Sequence, residues 1–557
     1  MKLKLVLFAT LFLSILTRTI WLKHTPARLT TDEMSLGYNA YSILKTGKDE
    51  WNKILPLSFT AFGDYKLPAY IYASVPFIGA FGLNPISIKI PSIISGLIIV
   101  MAIYLLVKQI SQKQTLAIIA ALIAAINPWP VHLSRQALES NLALAFFSLA
   151  IYLTQKALKS PSKKLIISAG ILFGLTFYSY IAYRFITTVL ILCLIFYHFW
   201  EKNYKTLNLI KKIGLVILIT IIPLLPQLFR FSNHARFSQV SMFTDSGVVS
   251  EVIEDNNFCY LNNQSFLPKI CRLLFNKPSV WTFRFIKNYS QFILPSFLFL
   301  EGDQSHYLNV PGFGAFFAFL LPFYIFGFYY FESHYKQKNL VNFAFFLAPI
   351  PSALVDSPQL VRGSALIPFI CLFTAIGIYQ SLKILNHFII FVILTFGIFS
   401  ITHYYLQYFI IYPSQYDDVA SKIPPVLAEF LVNNQEIYDH FYFSYTIANQ
   451  HIFTAFYLRL DPAWYQQNVV RPQPDNLGFS HPTQIGNKFY FGWLQLKDVI
   501  CNPEFRKTAF ITNESEPTSA TITIKNFSKV HDQIKIYDID QIRQQLNMNQ
   551  SLESYCN

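Results

Sequence analysis

The chain has 557 residues, of which 53% are hydrophobic, 17% aromatic and only 13% charged, with a mean hydropathy of +0.37. A soluble domain carries about 25% charged residues, so the composition excludes a soluble globular protein and points to a polytopic membrane protein. The net charge is +14, but the lysines gather in short loops between apolar runs, which is a topology signal and speaks against a nucleic-acid partner.

A spanning helix needs about 20 apolar residues. The expected spans are 3–21, 86–107, 114–130, 141–157, 165–181, 184–200, 212–229, 312–332, 340–355, 363–381 and 387–404, about eleven in all. The first run is longer than a signal-peptide core and no small-x-small cleavage site follows, so a retained anchor is expected. Lys2 and Lys4, Lys108 and Lys113, Lys159, Lys163 and Lys164, and Lys383 fall in one set of short loops, which is then cytoplasmic. The long loops 22–66 and 230–311 and the region after 404 are then extracytoplasmic. The fold class is a polytopic α-helical membrane domain (1–404) followed by an α/β extracytoplasmic domain (405–557).

Loop 22–66 carries two short amphipathic elements. Thr30 and Glu33 have the spacing of a capping box. Leu36, Ala40, Ile43 and Leu44 share one helical face, and Gly47 ends the helix. Pro68 suits a first helical position and opens a second apolar segment that ends at Gly82. Both are expected to lie on the outer membrane surface. Of the adjacent carboxylates Asp32 and Glu33, the cap assigns Glu33 a backbone role and leaves Asp32 for proton transfer; the bland alternative is that both merely favour a helix N-terminus. Lys66 sits beside the second N-terminus, with Asp64 nearby, and is read either as a snorkelling lysine or as a cation facing a lipid phosphate.

Further along, Arg135 and Glu139 stand four residues apart in an outer turn; they either pair with each other or face a cavity. Tyr180 and Arg184 lie in an aromatic stretch at a span end, where such residues anchor at the interface or stack on sugar rings. Arg362 follows Asp356 in an outer turn; it pairs there or offers a planar fork to phosphate. Asp303 and His306 are weaker candidates. The run Phe292–Leu300 is expected to dock at the membrane surface. Beyond 405, runs at 489–493, 509–512, 520–524 and 534–537 read as strands, with another starting at Gln435, and segments near 414–432 and 538–548 as helices. Cys193 and Cys371 lie in apolar runs, whereas Cys259 with Cys271 and Cys501 with Cys556 are disulfide candidates if their regions face an oxidising compartment. No His/Cys/Asp set has zinc spacing; a divalent ion on Asp32, Glu33 and Glu139 is compatible with the residues but nothing requires a cofactor.

Thr31-Asp32-Glu33, Lys66-Leu67-Pro68, the Phe81-Gly82 helix end, Arg135 to Glu139, Tyr178 to Arg184, Gly302-Asp303 and Gln359-Leu-Val-Arg362, taken in order, resemble the GT-C membrane glycosyltransferases. The nearest groups are the protein O-mannosyltransferases and the lipid A aminoarabinose transferase. The resemblance covers residues 1–404. It implies inverting transfer of a sugar from a polyprenyl-phosphate donor to a protein, lipid or glycan acceptor on the outer face of the cytoplasmic membrane. In that frame Asp32, beside Glu33, is the base, Lys66, Arg135 and Arg362 hold the lipid phosphate, and Glu139 orients Arg135 or the acceptor. Lys66 is followed by Leu67 where the family often has proline, which leaves its aim open. The resemblance further implies that these groups converge on one extracytoplasmic cavity. The rival class is a multi-pass transporter or flippase of a lipid-linked or anionic substrate, although the ionisable residues gather at outer span ends rather than at the midplane.

Overall fold

The structure, a computed structural model, describes residues 2–26, 29–61, 65–228, 241–245, 247–262, 268–305, 307–335, 338–355, 359–413, 425–447, 450–474, 479–514, 522–524, 534–549 and 552–556. Asp64, His306 and Asp356 lie outside the described residues. The chain divides into two compact units, Met1–Ile20 with Pro91–Tyr408, and Trp21–Ile90 with Phe409–Asn557. This division differs from the expected boundary after residue 404, because the first long loop belongs with the C-terminal region.

The first unit is helical. Among the described residues six helices are long and apolar enough to cross a membrane: Pro85–Ser111, Glu139–Lys159, Ile181–Trp200, Tyr204–Leu224, Leu360–Ile384 and His387–Ile411. A seventh candidate is the pair Gln114–Ile126 and Pro128–Ser134, bent by 58° at Asn127. Pro128 causes the break, since proline disfavours a helical residue before it and cannot donate inside a helix. The multi-pass architecture stands, with a smaller number of long helices than the eleven expected runs. Helix α1 (Lys2–Thr19) carries Lys2, Lys4 and Arg18 within 18 residues, and Lys163–Phe177 has only 15 residues. Leu360–Ile384 is almost wholly enclosed, while His387–Ile411 is almost wholly exposed. Close packing of Leu321–His334 on Ile367–Ile384 depends on Gly327 and Gly377: a Cβ at either would collide with a backbone carbonyl, of Phe373 or Phe323. The run expected at the membrane surface turns inward, since Phe297, Leu298 and Phe299 are buried and pack on Phe292, Phe316 and Tyr324.

In the second unit, helix α2 (Thr31–Thr46) and helix α3 (Pro68–Phe81) flank a small antiparallel ladder of β1 (Phe59–Thr60) and β2 (Tyr65–Lys66). Helix α2 is enclosed rather than surface-lying: ten of its residues between Glu33 and Ile43 are buried. It packs on α3 and on helices Gln450–Tyr457 and Pro462–Asn468. Seven strands form one sheet: β3 (His440–Ser444), β4 (Val469–Val470), β5 (Gln484–Ile485), β6 (Phe489–Gly492), β7 (Thr508–Thr512), β8 (Ile522–Ile524) and β9 (Ile534–Asp538), in the order β4-β5-β6-β3-β7-β9-β8. Strand β3 runs parallel to β6 and β7. The strand expected from Gln435 starts at His440 instead, because Asn434–Asp439 is a turn whose Asp439 amide bonds the Lys507 carbonyl. On one face Tyr442, Phe510 and Tyr537 pack on Leu496, Val499 and Ile500; on the other Phe441 and Phe443 pair with Phe489 and Phe491. Period-2 alternation places these aromatics on opposite faces, each covered.

Both expected disulfides are present, Cys259–Cys271 and Cys501–Cys556, the first in the first unit and the second in the second. Cys193 and Cys371 are free thiols.

Candidate active site

The site starts from the N-terminus of α2. Thr30 is the N-cap: its hydroxyl accepts from the Glu33 amide at 3.2 Å, and Glu33 Oε2 accepts from the Thr30 amide at 2.9 Å. This reciprocal cap folds the Glu33 side chain back onto the backbone, leaving the residue 1% exposed. Glu33 is thus held by the helix cap, as the capping-box spacing leads one to expect. Asp32 stands one position earlier. Its Oδ1 meets Lys66 Nζ at 2.9 Å, with the Asp32 side chain 53% exposed and that of Lys66 8% exposed.

Lys66 reaches Asp32 because β2 fixes its backbone. It stands opposite Phe59 in the ladder, and Leu67 then caps α3 with Pro68 at the first helical position. Leu67 thus has an extended backbone, the conformation that a residue before proline favours. The neighbouring Tyr65 ring packs on Phe479 at 5.1 Å.

Residues after 450 hold α2 in place. Gln466 Nε2 donates to Ser42 Oγ at 3.0 Å and to the Asp49 carbonyl at 2.8 Å, and the Tyr38 hydroxyl donates to the Leu460 carbonyl at 3.1 Å. Just beyond α2, Glu50 is enclosed. It accepts from Asn39 Nδ2 at 2.9 Å and lies 3.7 Å from Arg471, whose guanidinium stacks on Trp51. Burial raises the Glu50 pKa, and Arg471 and Asn39 oppose that rise. Burial likewise pushes His451 well below the usual imidazole range, aided by the charge of Arg471. These supports came from residues with no signal in the sequence beyond their type.

The other expected residues lie in the first unit. Arg135 is fully buried and donates to the Thr17 carbonyl and the Ile20 carbonyl, each at 2.8 Å. Arg18, also fully buried, reaches the opposite way, donating to the Ala124 carbonyl at 3.1 Å and the Ala125 carbonyl at 3.3 Å. Arg18 thus donates to carbonyls at the C-terminal end of Gln114–Ile126, and Arg135 to carbonyls at the C-terminal end of α1, where helix carbonyls lack intrahelical partners. Arg18 escaped the sequence reading because an arginine at the end of an apolar run resembles an interface anchor. Glu139 starts its helix, where its charge favours the N-terminus. Arg184 donates from Nε to the Phe177 carbonyl at 2.9 Å, and Tyr180 is the N-cap of that helix.

Arg362 differs from Arg18, Arg135 and Arg184. Among the described residues its guanidinium makes no hydrogen bond or ion pair. It lies in the turn Leu360–Gly363, which packs on the helix that Glu139 begins. Asp303 holds this turn: its Oδ2 accepts from the Leu360 amide at 2.8 Å and its Oδ1 from the Ser305 amide at 2.9 Å. Burial raises the Asp303 pKa, while those two amides and the charge of Arg362 pull it back. One residue on from Gly363, Ser364 Oγ lies 2.9 Å from the Tyr183 hydroxyl. The structure thus brings Asp32 to Lys66 within one unit, and Asp303 to the Arg362 turn within the other.

Among the described residues no group of three or more His, Cys, Asp or Glu side chains could hold a metal ion. Of the expected trio, Glu33 is folded onto Thr30 and Asp32 onto Lys66.

Residues 68–228 match the family described as dolichyl-phosphate-mannose-protein mannosyltransferase. No curated protein matches the chain. Among solved structures, the chain is similar to the archaeal oligosaccharyltransferase AglB from Archaeoglobus fulgidus in complex with an inhibitory peptide and a dolichol-phosphate, at a TM-score of 0.51 and 14% identity, covering 86% of this chain and 61% of that one. An Archaeoglobus fulgidus oligosaccharyltransferase in complex with Zn and sulfate gives 0.51 and 16%, covering 87% and 62%. ArnT from Cupriavidus metallidurans bound to undecaprenyl phosphate gives 0.43 and 12%, covering 84% and 68%. The chain spans about three fifths of the AglB chain's length, and at these identities the likeness is one of fold.

Proposed function

We propose that the chain is a membrane glycosyltransferase of the GT-C kind, whose fold it resembles, and that it moves a sugar from a polyprenyl-phosphate donor to an acceptor hydroxyl, with inversion. The observation that carries this is the pairing of a half-exposed Asp32 with an enclosed Lys66, next to a Glu33 that the helix cap already uses.

In this reading Asp32 accepts the proton of the acceptor hydroxyl as its oxygen bonds to the sugar's anomeric carbon. The bond from that carbon to the phosphate oxygen breaks, and the electron pair leaves with the lipid phosphate. Such a positioned base contributes about 10²–10⁴-fold. Lys66 holds the Asp32 carboxylate in place. Arg362, whose fork is unengaged among the described residues, takes the departing phosphate and stabilises its charge. Arg135 is assigned to the helix carbonyls it already binds, and Glu139, Tyr180 and Arg184 to lining the acceptor or sugar side. Dolichol-phosphate and a peptide in the AglB complex support a lipid-phosphate donor and leave protein, lipid and glycan acceptors in play. No cofactor is required by this chemistry.

We place the reaction on the outer face of the cytoplasmic membrane, with the N-terminus cytoplasmic. Two disulfides, in the loop after residue 240 and in the C-terminal region, suit an oxidising compartment. The test is mass analysis of products after the chain, in membranes, meets a panel of polyprenyl-phosphate and polyprenyl-diphosphate sugars, with and without EDTA. Transfer from a monophosphate donor with an inverted anomeric centre is expected. Turnover confined to diphosphate donors, retention of configuration, or no transfer from any donor overturns the proposal.

A further inference from the structure

Strands β6, β3 and β7 run parallel, so Gly492, Ser444 and Thr512 finish them side by side at one end of the seven-stranded sheet. The chain leaves two of these strands toward opposite faces. After β3 it enters the helix Gln450–Tyr457, whose His451 ring lies 6.4 Å from that of Phe491 on one face. After β6 it enters the helix Leu496–Cys501, whose Leu496, Val499 and Ile500 pack with Tyr442 on the other. Neighbouring connections that diverge in this way open a crevice beyond the carboxyl ends of the strands, the place where open α/β sheets take their ligands.

The side chains at these strand ends have a definite chemistry. Trp493, the first residue after β6, is 79% exposed, and its ring meets that of Tyr445 edge-on at 5.1 Å. Next to Tyr445, Thr446 Oγ1 donates to Ser444 Oγ at 3.1 Å, so Thr512 Oγ1, at 3.2 Å from Thr446 Oγ1, donates to it in turn. This hydroxyl chain ends on Ser444, whose own proton has no acceptor among the described residues. Asn513 donates from Nδ2 to the Thr446 carbonyl at 3.3 Å, and its Oδ1 has no partner among the described residues. A spare donor and a spare acceptor suit alcohol groups, each of which both donates and accepts. Residues 444–447, 492–496 and 512–514 include no lysine or arginine, so the crevice offers no fork or point charge to a phosphate or carboxylate.

We propose that this crevice is a saccharide-binding site. A sugar ring lays its C–H face on the Trp493 indole, whose negative ring face attracts the weakly positive hydrogens, while Ser444 and Asn513 bond its hydroxyls. The site holds a glycan without transforming it. It is separate from the Asp32–Lys66 pair at the start of α2, and it stands whether or not the proposed reaction does.

Calorimetric titration tests it. The full chain in lipid nanodiscs, free of glycoside detergent, is titrated with mannotriose, chitotriose and cellotriose. Saturable binding of at least one of them is expected. Trp493→Ala should raise its Kd about tenfold, Trp493→Phe, which keeps an aromatic face, by less, and Ser444→Ala about fivefold. Trp493 is mostly exposed, so its replacement leaves the fold standing, and the unfolding temperature of each variant checks this. No saturable binding of any of the three sugars overturns the proposal, and so does binding that Trp493→Ala leaves unchanged. Binding lost with Asp32→Asn but kept in Trp493→Ala belongs to the proposed active site and overturns it too. A last readout separates a sugar platform from a membrane anchor: quenching of tryptophan fluorescence by brominated acyl chains should be the same in the wild type and Trp493→Phe. Quenching that disappears in Trp493→Phe means that the indole sits in lipid, which overturns the proposal.

Discussion

Asp32→Asn and Glu33→Gln, one residue apart, are expected to fail in opposite ways. Asp32 is half exposed and its ion pair with Lys66 is partly screened. Breaking such a pair costs about 0–1 kcal/mol of stability. Loss of a positioned base instead lowers the rate by about 10²–10⁴-fold, which corresponds to about 3–5.5 kcal/mol in the barrier. Glu33 is buried and both halves of its capping box are formed. Gln retains the shape but weakens the charge-assisted bonds to the Thr30 backbone, so the variant loses about 0.5–2 kcal/mol of stability and keeps most of its turnover. The assay pairs initial rates of sugar transfer in proteoliposomes with thermal unfolding of the same preparations. Asp32→Asn retaining more than about a tenth of wild-type turnover would refute the base assignment. So would Glu33→Gln falling further in rate than Asp32→Asn.

Arg362→Ala is expected to raise the KM for the lipid donor while leaving acceptor KM and unfolding temperature nearly unchanged, because among the described residues that guanidinium makes no hydrogen bond or ion pair and reaches Asp303 through its charge alone; steady-state kinetics with each substrate varied separately checks this. Arg471→Met should expose the pH sensitivity of Glu50. Burial holds its folded pKa above the unfolded value of about 4.3, so the folded state binds more protons in that interval and stability declines as pH rises through it. Without Arg471 the folded pKa rises further, the decline reaches higher pH, and removal of the partner of a buried charge costs about 3–5 kcal/mol near neutrality; urea unfolding at pH 5 and pH 8 reads the difference, and an equal loss at both would contradict it. Removing the Cys501–Cys556 bridge, 55 residues apart, should cost about 4 kcal/mol by loop-closure entropy, against about 3 for Cys259–Cys271, 12 apart, as measured by denaturant unfolding of serine variants.

Much of the organisation was legible from local rules. The capping box at Thr30–Glu33, the Pro68 start of α3, the strands at 489–492, 508–512 and 534–538, and the two disulfides each follow from a short stretch or a pair of residue types. Apolar length identified a multi-pass protein; among the described residues six helices, or seven with the pair bent before Pro128, have the length and composition of a span.

The sequence by itself settled what depends on neighbours within a turn or two: the apolar class, the caps, and the presence of Asp32 beside a carboxylate already used by the helix. Only the tertiary structure decided which distant groups meet. Lys66 against Asp32, Gln466 on α2, Arg18 and Arg135 on helix-end carbonyls, and the Arg362 turn held by Asp303 all join positions far apart along the chain. The reason is physical. A buried cation must find carbonyls or a carboxylate wherever the packing supplies them, and the spacing of residues along the chain carries no record of that choice.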